Sequence, residues 1–142
     1  MSSAVNTTMG GKPRDWLYWL LLLIAIGTAI SGIVQLLSPK FVLTMVGAAT
    51  TSDVSYFFAI IGMFMALFGA LVINALLDVA DHPVAILWAA MQKLFAAVVV
   101  WVGVRQGIFG PMALGIAGFD LITSVLMFVY WRRIRDVWST RA

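Results

Sequence analysis

Four long apolar runs constrain the fold of this chain more than any other feature of its sequence. They cover about residues 16–37, 54–77, 83–104 and 111–131. Each has about 20 residues, the length that a helix needs to cross the hydrocarbon layer of a bilayer. No run alternates apolar and polar residues as a membrane β-strand does. Because short connections make consecutive helices antiparallel neighbours, the sequence predicts an all-α fold, an integral membrane antiparallel four-helix transmembrane bundle.

The composition supports a membrane protein and excludes several kinds of site. Of 142 residues, 63% are hydrophobic and 11% are charged, which leaves too little charge to cover a soluble domain. There is no Cys, no Glu and a single His, His82, so we expect no metal site. No phosphate-binding loop, dinucleotide fingerprint or serine-hydrolase elbow is present. The net charge of +3 is concentrated at the chain ends and does not indicate a nucleic-acid partner.

The connections divide the chain into one bundle and two tails. Residues 1–15 are predicted to be a cytoplasmic flexible tail, residues 16–131 the bundle, and residues 132–142 a basic cytoplasmic tail. Pro39–Val46 is too short to span and is predicted to be a short interfacial helix. Thr51, Ser52 or Asp53 is expected to cap the second span. Pro83 is expected to open the third span, with Asp81 as its cap.

The distribution of Lys and Arg predicts the orientation of the bundle. The end that carries both termini holds six basic residues, and the opposite end holds two. These are Lys12, Arg14, Arg132, Arg133, Arg135 and Arg141 at the first end, and Lys40 and Arg105 at the second. The positive-inside rule therefore predicts a multi-pass protein of the cell inner (plasma) membrane with both termini in the cytoplasm.

Two charged residues interrupt the later spans, and their depths match. Lys93 lies ten residues after Pro83 and Asp120 eleven residues before Trp131, so both lie about 15–16 Å from the same membrane face at 1.5 Å per residue. An isolated charge at this depth costs at least about 2.5 kcal/mol. We therefore expect Lys93 and Asp120 to face each other as an ion pair. Either this pair fixes helix register, or it forms a polar site for a ligand, or both residues face a partner subunit.

Small and polar residues follow one face of each predicted helix, which is typical of helices that pack closely in lipid. Four alanines flank Lys93 and are expected to leave space for a helix, a water or a ligand. The predicted core polar or ligand-binding residues are Lys93, Asp120, Thr28, Ser31, Ser124 and Asn74. Catalytic residues are not assigned; Lys93 and Asp120 are the candidates if the protein is an enzyme.

The chain resembles the DoxX-like group of small bacterial four-helix membrane proteins. The matching segments are "SPKFVLTMVG", "FFAIIGMFMALFGALV", "MQKLFAAVVV" and "GFDLITSVLMF", within residues 16–131. The resemblance implies a four-helix membrane fold, with Lys93 and Asp120 as the polar signature. The best-known DoxX member is a subunit of a thiosulfate:quinone oxidoreductase, so the resemblance also implies quinone as an alternative cofactor.

Three functions are compatible with these features. The first is a non-enzymatic accessory subunit or a bundle that binds a lipid or another hydrophobic ligand around the Lys–Asp pair, without a cofactor. The second is a quinone- or proton-linked subunit of a membrane oxidoreductase. The third is a small membrane enzyme acting on a lipophilic substrate. The expected partners are the lipid bilayer, a membrane protein complex or homo-oligomer, and a hydrophobic ligand.

Overall fold

A computed structural model describes residues 14–78 and 80–139 and contains five helices in that part of the chain. They are α1 (Trp16–Leu37), α2 (Pro39–Met45), α3 (Ser52–Leu77), α4 (Pro83–Arg105) and α5 (Ala113–Ser139). Helices α1, α3, α4 and α5 are each long and apolar enough to cross a membrane. The protein is therefore an all-α, multi-pass membrane bundle, as the apolar runs predict. The predicted tail at residues 1–13 lies outside the described residues.

The helix ends agree with the predictions at some positions and differ at others. The side chain of Asp15 caps α1 by accepting a hydrogen bond from the Tyr18 amide at 3.1 Å. Pro83 is the first residue of α4, but His82, and not Asp81, occupies the cap position. The difference arises because the residue directly before the first helical residue is the cap. Helix α5 continues to Ser139, well beyond the predicted end at residue 131, because nothing in the basic segment stops a helix.

Helices α1 and α3 pack backbone against backbone through glycines. A Cβ atom on Gly32 would meet the backbone of Gly62 and Ala66, and one on Gly62 would lie 2.7 Å from the Leu36 nitrogen. Further along, a Cβ on Gly69 would lie 2.6 Å from the Ala29 nitrogen. Dispersion contacts at such short range are the main attraction between helices in lipid. These glycines therefore make α1 and α3 one tightly packed pair.

Helices α4 and α5 form the second tightly packed pair. The chain leaves α4 through Gly107, whose φ of +74° is left-handed. The Ile108 amide then donates to the Gly103 carbonyl at 2.9 Å and the Gly107 amide to the Val104 carbonyl at 3.1 Å. This is the Schellman arrangement of a helix C-terminus, which needs a left-handed residue and therefore favours glycine. It reverses the chain and allows α5 to return beside α4.

The two pairs join at one end of the bundle. This end, which we call the terminal end, contains the start of α1, the end of α3, the start of α4 and the end of α5. The main apolar core lies here and includes Leu17, Leu21, Leu76, Ile86 and Tyr130, all nearly inaccessible. In contrast, α3 and α4 make few contacts although they are consecutive. The opposite end, the distal end, is consequently less filled and contains a cavity.

Candidate ligand cavity and its buried ion pair

Lys93 and Asp120 form a buried ion pair between α4 and α5. The Lys93 Nζ donates to Asp120 Oδ1 at 2.6 Å, and the two residues are 5% and 8% exposed. The Lys93 Nζ also lies 5.9 Å from the centroid of the Phe119 ring, a distance at which an aromatic face attracts a cation. The pairing that the depth count predicts is thus present in the structure. Each charge neutralises the other where water is excluded.

A second interaction holds the same two helices beside the ion pair. The Ser124 hydroxyl donates to the Ala90 carbonyl at 2.9 Å. Ser124 is one helical turn from Asp120, and Ala90 is one turn from Lys93. Ala89, Ala90 and Ala97 are buried, so these alanines admit the neighbouring helices. Ala96 instead lines an open space, as described next.

A cavity of about 250 Å³ lies between the two helix pairs in the distal half of the bundle. Its wall is mostly aliphatic and aromatic. The lining residues are Gln35, Val42, Val46, Phe58, Ile61, Phe64, Met65, Phe68, Gln92, Ala96, Val100, Phe109, Ala113, Ile116 and Asp120. The volume is just below the usual range for sites of small ligands, about 300–1,000 Å³. It is large enough for a ring or for a short part of a chain, but not for a whole lipid.

Three polar side chains face this apolar space. Asp120 lines it while its Oδ1 atom is held by Lys93. Gln35 lines it while its Nε2 donates to the Phe58 carbonyl at 2.9 Å, a bond between α1 and α3. Gln92 completes the set. A wall that is mainly apolar with a few convergent polar groups is typical of a ligand-binding site.

Thr28 lies near Lys93 but does not line the cavity. Together with Gln92 and Lys93 it borders a much smaller space of about 10 Å³, which is at the lower limit for holding one water molecule. Thr28 is 8% exposed. Thr28 and Lys93 border this space together, and Lys93 contacts Asp120, so the three residues lie in one layer of the bundle.

Two of the predicted core polar residues lie elsewhere. Ser31 and Asn74 are exposed. Ser31 is one of the residues that line a groove between α1 and α5, and Asn74 borders a space near His82 at the terminal end. On α1 the buried face passes through Thr28, so Ser31, three positions later, is turned partly toward the bilayer. Neither Ser31 nor Asn74 reaches the cavity.

Two polar residues near these spaces, Gln92 and Thr123, are not among the site residues predicted from the sequence. Gln92 lines the cavity, and its position next to Lys93 in the run "MQKLF" is a signal that could have identified it. Thr123 is inaccessible, and its hydroxyl has no hydrogen-bond partner among the described residues. Nothing in the sequence distinguishes Thr123 from Ser124 beside it, since both are small hydroxyl residues on the same apolar helix.

The cavity is closed at its distal end and bordered by bilayer-facing residues on its side. Helix α2 covers it through Val42 and Val46. The Val46 carbonyl accepts a hydrogen bond from the Gly110 amide at 2.7 Å, which ties the end of α2 to the connection between α4 and α5. On the side, the lining residues Ile61 and Phe64 are 55% and 54% exposed. In a bilayer this exposed side faces hydrocarbon.

The cavity presents hydrogen-bonding groups to a ligand. The Lys93 Nζ is engaged with Asp120 Oδ1 at 2.6 Å. Among the described residues, no three His, Asp, Cys or Glu side chains come together in a way that could hold a metal ion. The groups that remain for a ligand are the second oxygen of Asp120, the Gln92 amide and the Gln35 carbonyl oxygen.

Comparison of the chain with protein-family models, with curated proteins and with solved structures finds no match. The resemblance to the DoxX-like group therefore stays a prediction.

Proposed function

We propose that this protein is a non-enzymatic membrane protein that binds a lipophilic molecule carrying a small, uncharged polar group. The observation that carries the proposal is the cavity of about 250 Å³ whose apolar wall is interrupted by Asp120, the partner of Lys93, and by Gln92 and Gln35. The apolar wall would hold the body of the ligand. The polar groups would orient its head.

The charge balance of the cavity supports an uncharged head. Lys93 and Asp120 neutralise each other at 2.6 Å, so a charged head would leave one net charge buried in a medium of low polarity. Such a charge is strongly destabilising. A ligand hydroxyl would instead donate to the Asp120 oxygen, and a ligand carbonyl would accept from the Gln92 amide, and neither group adds a charge.

The position of the cavity supports entry from the bilayer. The exposed side chains at its border face hydrocarbon, whereas α2 covers its distal end. The ion pair lies about 15–16 Å from the membrane face at the rise of an α-helix, which is much deeper than the headgroup of an ordinary phospholipid. The ligand would therefore be a molecule whose polar group reaches the bilayer centre.

The test is extraction in a mild detergent, followed by mass spectrometry of what remains bound. Ala96 lines the cavity and is half-buried, so Ala96→Phe would fill part of the space. Val99, on the same helix, is 65% exposed and provides the matched control Val99→Phe. We expect a lipophilic molecule to co-purify with the wild type and with Val99→Phe, and at least tenfold less of it with Ala96→Phe.

Recovery of the same molecule from all three proteins in equal amount would overturn the proposal, because lipid that merely coats the bundle does not depend on the cavity. Recovery of none would overturn it too. A quinone among the bound molecules would favour the oxidoreductase-linked alternative, whereas a redox-inactive lipid would favour the binding function alone.

We also propose that the protein lies in the inner (plasma) membrane of a bacterial cell with both termini cytoplasmic. The basic residues support this orientation, since Arg14, Arg132, Arg133 and Arg135 lie at the terminal end and Lys40 and Arg105 at the distal end.

We further propose that the protein is an accessory subunit of a larger membrane complex. Mass spectrometry of the proteins that remain bound after the same mild extraction would identify the partner.

A further inference from the structure

The polar groups of the cavity differ in how far the protein itself satisfies them. Lys93 donates to one oxygen of Asp120, Oδ1, at 2.6 Å. The other oxygen, Oδ2, accepts no hydrogen bond from the described residues. Within the same part of the chain the Gln92 side chain makes no hydrogen bond, and Gln35 makes one, from its Nε2 to the Phe58 carbonyl. The cavity therefore offers an unused carboxylate oxygen and an unused amide.

These unused atoms can be reached from the cavity, whereas the Thr123 hydroxyl cannot. Among the described residues, a few polar side-chain atoms lack a partner and have no exposed surface, and the Thr123 hydroxyl is one of them. The unpartnered atoms of Asp120 and Gln92 are not of this kind, so they keep some exposed surface. Both residues line the cavity of about 250 Å³, which makes this surface available to a molecule inside it.

The carboxylate and the amide lie at one level of the cavity wall. Gln92 directly precedes Lys93 on α4, and the Lys93 ammonium contacts Asp120 on α5. The neighbouring parts of the wall are apolar and include Phe68, Ala96 and Ile116. A single small polar group, placed between α4 and α5 at this level, can therefore contact both the carboxylate and the amide.

The hydrogen-bonding character of these atoms decides which polar group fits. An ionised carboxylate accepts hydrogen bonds and donates none, whereas an amide does both. A hydroxyl group donates and accepts, so it satisfies the Asp120 oxygen and the Gln92 Nε2 at once. A ketone, an ester or an ether only accepts, and it would bring its lone pairs against the carboxylate oxygen. An ammonium group would donate, but its charge would be uncompensated beside a pair that is already neutral.

We propose that the ligand is a lipophilic alcohol, whose hydroxyl donates to Asp120 and accepts from Gln92. This inference rests on the binding function proposed above and narrows the ligand to one chemical class. Hydrogen bonds to an ionised acceptor are about twice as strong as those between neutral groups, so Asp120 provides most of the discrimination between an alcohol and a ketone. Gln92 orients the hydroxyl. Lys93 is a positioning residue, because it holds the carboxylate through the other oxygen.

Menthol and menthone provide matched probes, because they share one carbon skeleton and differ in having a hydroxyl or a carbonyl group. Titration calorimetry measures the binding of each probe to the purified wild-type protein in a mild detergent. A site built to bond a hydroxyl discriminates strongly against an analogue that lacks it, because the polar groups of the site are then left unpaired. We expect menthol to bind at least about tenfold more tightly than menthone.

Three variants identify the groups responsible for this preference. The double variant Lys93→Met with Asp120→Leu removes the carboxylate without leaving a buried charge, so the preference for menthol should disappear. Gln92→Leu keeps the carboxylate and a side chain of similar size, and we expect menthol to bind at least about fivefold more weakly, as the loss of one hydrogen bond predicts. Val99 is 65% exposed on the same helix, and the control Val99→Phe should keep the wild-type preference.

The outcomes separate this inference from the binding function itself. If menthol and menthone bind equally well and Ala96→Phe abolishes the binding of both, the cavity binds lipophilic molecules but the alcohol inference is wrong. Tighter binding of menthone would overturn the inference too, as would a menthol preference that is unchanged in the double variant. Absence of any binding that depends on Ala96 would also overturn it, and the co-purification experiment above then decides separately whether the binding function stands.

Discussion

At the scale of single residues, the consequence of the Lys93–Asp120 pair for stability depends on whether one charge is removed or both. Removing one partner leaves an uncompensated charge in the bundle, which costs about 3–5 kcal/mol. Replacing both with apolar residues of similar size is often neutral or stabilising. We therefore expect Lys93→Met and Asp120→Leu each to lower the free energy of unfolding by about 3–5 kcal/mol, and the double variant to recover most of the loss. Denaturant titration in detergent micelles measures this.

The pair between Asp15 and Arg133 provides the matched control. It has the same 2.6 Å separation, but its side chains are 32% and 46% exposed. Exposed pairs contribute about 0–1 kcal/mol, so Arg133→Met should cost little. If Lys93→Met were as mild as Arg133→Met, the buried pair would not be desolvated. If the double variant folds but retains no ligand, Asp120 contributes to the cavity beyond its role in packing.

At the scale of helices, the crossing of α1 and α3 depends on the absence of side chains at its glycines. A methyl group on Gly62 would lie 2.7 Å from the Leu36 backbone nitrogen, and backbone atoms cannot rotate away as side chains do. Gly62→Ala should therefore separate the two helices and lower the free energy of unfolding by about 1–3 kcal/mol, the usual cost of overpacking. Thermal unfolding in detergent checks this prediction.

The control for this prediction is Gly115→Ala on α5. A Cβ atom at Gly115 would meet nothing within 4 Å, and alanine favours a helix over glycine by about 0.8–1.0 kcal/mol. We therefore expect Gly115→Ala to be neutral or stabilising while Gly62→Ala destabilises. Equal effects of the two substitutions would mean that helix propensity, and not the contact between α1 and α3, determines the outcome.

At the scale of the whole molecule, depth in the membrane could be predicted from the sequence, but rotation about the helix axes could not. The rise of an α-helix is constant, so counting residues placed Lys93 and Asp120 in one layer. The orientation of a face is harder to predict, because lipid and protein interior are both apolar and hydropathy does not distinguish them. For this reason Ser31 was expected in the core, whereas the structure places it in the groove between α1 and α5.

The arrangement of the helices was also only partly predictable. Short connections predict that consecutive helices are neighbours, and this holds within the pairs α1–α3 and α4–α5. It does not hold fully for α3 and α4, which contact each other little because the glycines of α3 bind it closely to α1. The cavity is the consequence of this unequal pairing. No local pattern in the sequence predicts the cavity. Its position depends on which helices pack most closely, and every long helix has a face of small residues that could do so.

The orientation of the bundle gives the last prediction. Basic residues are retained on the cytoplasmic side during insertion, and the terminal end carries more of them than the distal end. We expect the connection between α2 and α3 outside the cytoplasm and the connection between α3 and α4 inside it. Single cysteines at two exposed positions, Thr51→Cys and Ala80→Cys, report these two sides in an otherwise cysteine-free chain. A membrane-impermeant maleimide should label Thr51→Cys in intact cells and Ala80→Cys only after the membrane is opened. The reverse pattern would place both termini outside, and the charge difference between the two ends would then not set the orientation of this bundle.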